Sequence, residues 1–147
     1  MKYLILILLL TVMACSSISK VSTNSETANI MNLIALTENK APDGIKGTFQ
    51  FPIKASGNQS GIIYLNTEND YRDRRNITIA IHPQLINAFK NKYGESPESY
   101  FINKTIEVTG EAKRMKIFFY SNGKVTTKYY FQTHVNVTSL KQIKVLN

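Results

Sequence analysis

Cysteine is nearly absent from this chain: Cys15 is the only one in 147 residues. A single thiol excludes a disulfide framework. Histidine is almost as scarce. His82 and His134 have neither a cysteine nor a second histidine at metal-ligand spacing, so the sequence offers no zinc site. His82 stands before Pro83 at a helix start and His134 within a strand, and both read as structural. Glu68, Asp70 and Asp73 lie close together, but three arginines fall among them and the glycine of a calcium loop is missing. No phosphate loop and no nucleophile motif occurs. The expectation is a protein that is not an enzyme and carries no metal or cofactor. Long apolar runs are lacking too. The run from Leu4 to Leu10 is far short of the ~20 residues that span a bilayer.

That short run has a specific setting. "MKYLILILLLTVMAC" carries one cation, Lys2, then an apolar core, then a small residue before the cysteine, which is the pattern of an export signal. Val12-Met13-Ala14-Cys15 resembles the lipobox of bacterial lipoproteins. The resemblance implies cleavage before Cys15, acylation of that cysteine, and stable anchoring in the cell envelope by several acyl chains. Ser16 follows the cysteine, and the family's sorting then favours the outer membrane where there is one. Residues 1–14 are expected to be the signal peptide, 15–42 a tether with a short helix, and 43–147 one domain. The mature chain has a net charge of about +7. A basic exported protein is drawn to anionic surfaces such as phosphates, acidic polysaccharides and lipid headgroups.

The pattern along the chain is mainly β. Thr23 and Glu26 have capping-box spacing, and Ile30, Leu33 and Ile34 supply an apolar stripe for a helix over 25–37. Pro42 and Gly44 break it. "IKGTFQFPIKAS" alternates as one strand, with Pro52 suiting an edge or a bend. "GNQS" reads as a turn, and "GIIYLN" and "NITIAIH" as strands two and three. The period then changes to helical, with Leu85, Ile86, Phe89 and Tyr93 on one side, Pro83 at the start and Gly94 at the stop. "SPESYF" adds a helical turn. The β pattern returns in "KTIEVTGEAK", where Ile106 and Val108 oppose Glu107 and Thr109. "SNGK" signals a hairpin between aromatic strands. Three strands, a helix and further strands match a five-stranded Greek-key barrel of the OB type, here with an extended hairpin after the fourth strand.

The chain from about Gly47 onward is similar to a bacterial group of exported OB-fold domains. The carrying residues are "IIYLNTENDYRDRRNITIAI", "YFINKTIEVTGEAK" and the closing "QIKVL". Asn103 stands where the group has glycine before Lys104, and the aromatic hairpin replaces a short link. The resemblance implies a binding domain, since OB folds take oligonucleotides, oligosaccharides or proteins.

Two clusters are candidate ligand sites. "NDYRDRRN", residues 69–76, offers Arg72, Arg74 and Arg75 as phosphate or carboxylate forks and Tyr71 for stacking. The preferred reading is a turn in which Asp70 and Asp73 satisfy the arginines and the loop amides. The second cluster is Lys113, Arg114 and Lys116, continued by Lys124 and Lys128 among Phe118, Phe119, Tyr120, Tyr129, Tyr130 and Phe131. Aromatics in paired strands read first as core and cross-strand pairs, but runs of three place rings on both faces of a strand, which leaves some aromatic surface exposed or covered by a partner. The functional expectation is a lipid-anchored envelope protein that binds an anionic polymer such as nucleic acid. The alternative is an assembly or structural lipoprotein whose barrel docks an envelope protein.

Overall fold

A computed structural model describes residues 22–146. The leader, the Cys15 lipobox and the tether as far as residue 21 lie outside the described residues. The first described element is a helix, α1 (Ser22–Lys40). It includes Ser22, so Thr23 lies inside it and not at a cap. Ile30, Leu33 and Thr37 recur at helical spacing and are buried. The Thr37 hydroxyl donates to Ile34 O at 2.8 Å and meets the Thr133 hydroxyl at 3.0 Å. The helix therefore packs against the core.

Among the described residues, seven strands form one mixed sheet. They are β1 (Ile45–Pro52), β2 (Ala55–Gln59), β3 (Ile62–Asn66), β4 (Ile77–Ile81), β5 (Thr105–Ser121), β6 (Lys124–Val137) and β7 (Ile143–Val145). The path runs β1-β5-β6-β4-β3-β2, with β7 added on β5, and only β4–β6 is parallel. The sequence had suggested one strand over β1 and β2. The chain instead changes partner at Ile53 and Lys54. Pro52 still pairs with Thr105, Ile53 N donates to Lys104 O, and Lys54 N then donates to Asn66 O of β3. Proline has no N–H to give the ladder, so this is where the strand bends. The expected turn over "GNQS" is also displaced. Gly57–Gln59 belong to β2, and the reversal falls on Ser60 and Gly61, both in the left-handed region.

Between β4 and β5 lie a 3-10 turn (Pro83–Leu85), α2 (Ile86–Tyr93) and α3 (Pro97–Tyr100). Gly94 ends α2 at φ 79°, a conformation glycine adopts at no steric cost. Phe89 and Phe101, both fully buried, meet edge to face at 5.6 Å. The core lies between these helices, α1 and one face of the sheet, filled by Ile63, Leu65, Ile77, Ile79, Ile106 and Val108 among others. The β5–β6 hairpin turns on Asn122 and Gly123, at φ 51° and 72°, as an Asn-Gly turn requires. β7 is held by Gln142. Its amide oxygen accepts from Thr138 N and Ser139 N, and its nitrogen donates to Thr109 O and Asn136 O. No described helix is long and apolar enough to cross a membrane.

Candidate functional site

The loop between β3 and β4 is largely self-satisfied. Asp70 accepts from Arg72 N at 2.9 Å. Asp73 accepts from Arg75 N at 2.9 Å and from both Arg75 Nε and Nη2, at 3.1 and 2.7 Å. These bonds hold the Asp73 carboxyl well below the usual range, at about 2, and push Arg75 up. Asn76 is the buried hub beneath. Its amide nitrogen reaches Asn66 Oδ1, Thr78 Oγ1 and Tyr71 O at 3.0–3.1 Å, and its oxygen accepts from Glu68 N at 3.1 Å. Both aspartates therefore build the turn, and Arg75 is committed to Asp73.

Tyr71 is different. Its backbone oxygen is fixed from two sides, by Asn76 and by the Gln132 amide, while its ring stays exposed. The ring borders a cleft of about 400 Å³ on the face of the sheet opposite the core. The floor comes from Tyr64 and Asn66 of β3, Thr78 of β4, and Gln132 and His134 of β6. β2 and Asn69 form one wall, and Ile117 and Tyr130 of the hairpin the other. Among the described residues, no Asp, Glu, Lys or Arg lines it. Its chemistry is three phenol rings set among amides and hydroxyls.

The cleft's polar groups are ordered by one chain of contacts. Gln132 gives its amide nitrogen to Tyr71 O, so its oxygen faces His134 Nε2 at 2.9 Å and accepts from it. That fixes the neutral ring with its proton on Nε2. Burial pushes His134 down to about 4, so the ring is neutral near pH 7. Burial also pushes the Tyr130 phenol up. The floor is thus uncharged by composition and by protonation state. It offers aromatic faces, amide donors and acceptors, and no ionised group.

The seven candidate residues do not converge. Tyr71 lines the cleft. Arg72 stacks on the Tyr71 ring at 5.1 Å and marks the rim. Arg74 and Arg114 border a separate, smaller pocket of about 50 Å³ beside α1. Arg114 lies over the Phe131 ring at 3.7 Å, 4.0 Å from Glu38, with its buried Nε unpaired. Lys113 pairs with Glu111 at 3.3 Å. Lys116 lies over Tyr129 at 3.9 Å. Arg114 and Lys116 project from one face of the hairpin, and Ile117 and Tyr130 from the other. The sequence reading missed Tyr64, Asn66, Gln132 and the cleft position of His134. Their only signal was polar or aromatic residues at outward positions of apolar strands. Among the described residues, no three His, Cys, Asp or Glu side chains come together as a metal set.

No protein-family model matches the chain, and a search of curated proteins finds no match for it.

Proposed function

We propose that this chain is a lipid-anchored envelope protein whose domain is an OB-type barrel that binds a single-stranded polymer without catalysis. What supports the barrel is the order of pairing. β1 and β2, at opposite ends of the sheet path, are consecutive in the chain and separated only by Ile53 and Lys54. Taken as one bent strand, they bring the path back on itself. The parallel β4–β6 pair, with helices before β5, then has the Greek-key order of five strands.

The observation that carries the binding role is the cleft itself. An uncharged floor with Tyr64, Tyr71 and Tyr130 accepts flat rings by stacking, and its amides match the hydrogen-bonding edges of bases. Arg72 stands at the rim, where a strand's phosphates would pass. Single-stranded nucleic acid combines these features, with neutral rings for the cleft and an anionic backbone for the rim. Lipid anchoring at Cys15 rests on the lipobox pattern alone.

The test is titration of labelled single-stranded DNA and RNA against the wild-type chain, Tyr71→Ala, Tyr130→Ala and Arg72→Ala. Each tyrosine removed should weaken binding by about 1–3 kcal/mol. Arg72→Ala should lower the salt slope by about 0.7, one phosphate contact. Wild-type affinity that is undetectable for both polymers, or that survives loss of both tyrosines, sinks the reading.

A further inference from the structure

The β5–β6 hairpin extends beyond the core, and its tip is apolar on both sides. Phe118 and Tyr129 share one face, where Lys116 Nζ lies over both rings. Phe119 occupies the other face, against Tyr130 at 5.2 Å. Strand alternation sends neighbouring rings to opposite sides, and the register shifts between Phe118 and Tyr120. Tyr120 and Val125 at the end are 67% and 57% exposed. The charge is as one-sided as the rings are two-sided. From Lys113 to Lys128 the hairpin carries five Lys and Arg residues and no Asp or Glu.

We infer that this hairpin tip docks on an anionic phospholipid surface. A folded protein partner or a nucleic-acid strand lying on the hairpin would cover one face and leave the other's rings in water. A fluid bilayer interface surrounds a narrow wedge and takes both faces at once. Aromatic rings settle at the headgroup level of a bilayer. Lysine stems lie along apolar surface while their ammonium groups stay in the polar layer, and Lys116 already holds its ammonium against two of these rings. Lys124, beside the turn, keeps the wedge shallow, among headgroups and not in hydrocarbon. Charge complementarity selects the lipid, because a surface without a single carboxylate has no repulsion to set against anionic headgroups. This contact does not depend on the cleft or on acylation of Cys15.

The experiment uses the chain from Ser16 to Asn147 without lipid, which retains α1 and every core residue. The protein has no tryptophan, so Phe119→Trp adds a single indole at the tip, which can be excited apart from the tyrosines. Mixed phosphatidylglycerol–phosphatidylcholine vesicles should shift that emission to the blue and sediment with the protein. Pure phosphatidylcholine vesicles should do neither. Lys116, Lys124 and Lys128 changed together to Gln should weaken sedimentation about a hundredfold. Phe118→Ser with Tyr120→Ser, both exposed and outside the core, should weaken it about tenfold, with the circular dichroism spectrum unchanged. Three results would overturn the inference. One is unmoved emission with anionic vesicles. Another is sedimentation indifferent to the tip variants. The third is an emission change with single-stranded DNA alone, which would assign the hairpin to nucleic acid.

Discussion

Asn76 shows how one buried amide can hold a charged loop. Its two N–H hydrogens are shared among three acceptors, and its oxygen ties down Glu68 N. Asn76→Ala would leave Glu68 N without its acceptor, remove one donor from Asn66 Oδ1, Thr78 Oγ1 and Tyr71 O, and loosen the backbone that presents Tyr71. Buried groups left without partners cost about 1–3 kcal/mol each, so urea denaturation should show a loss of roughly 2–4 kcal/mol. His134 makes a second prediction at this scale. Its ring charges at about 4 in the fold, against 6.5 ordinarily. The unfolded chain therefore takes up a proton that the fold refuses. The stability from keeping the ring neutral is complete above pH 6.5 and is lost as pH falls from there towards 4. The slope is at most about 1.4 kcal/mol per pH unit. Denaturation at neutral pH and at about pH 5 should show this decline, and His134→Gln should flatten it. Asp73 and Glu107, whose carboxyls are lowered by Arg75 and Lys144, contribute their own losses at more acidic pH.

Helix α1 is structural at the scale of the element. Ile30 and Leu33 are more than nine-tenths buried and belong to the same cluster as Val135 and Ile106. Ile30→Ala and Leu33→Ala should each cost about 2–4 kcal/mol by thermal or urea unfolding. A chain cut to begin at Asp43 should be less stable still. The elements that local pattern decides were legible in the sequence. The apolar stripe of α1 and α2, the β-branched runs of β3 and β4, Gly94 as a stop and Asn122–Gly123 as a hairpin turn all depend on near neighbours. The change of partner at Ile53–Lys54 was not legible, because it is set by which strands lie across from it. Pro52 marked a bend and could not say that pairing continues on another strand. The displaced turn has the same origin. "GNQS" has turn composition, yet pairing with β3 holds Gly57–Gln59 extended and leaves the reversal to Ser60 and Gly61.

At the scale of the whole molecule, the cleft draws on β2, β3, β4, the hairpin and the 69–76 loop. Its position depends on the parallel β4–β6 pairing, which sets Thr78 opposite His134. That long-range juxtaposition has no local signature, so Tyr71 was read as a ligand residue, Tyr130 only as part of the aromatic hairpin, and His134 as structural. The densest charge in the sequence turned inward on itself, while a surface without charge formed beside it. Two surfaces of different chemistry result. A neutral aromatic cleft faces one way across the sheet, and a cationic aromatic tip extends from the same hairpin. The measurement that tests the central claim most directly is a 15N NMR titration of the Ser16–Asn147 chain with a short single-stranded oligonucleotide. The expected result is progressive shifts at the Gln132 side-chain amide and at the backbone of Tyr64, Tyr71 and His134, with α1 unmoved. Shifts confined to the hairpin tip, or none at saturating oligonucleotide, would contradict it.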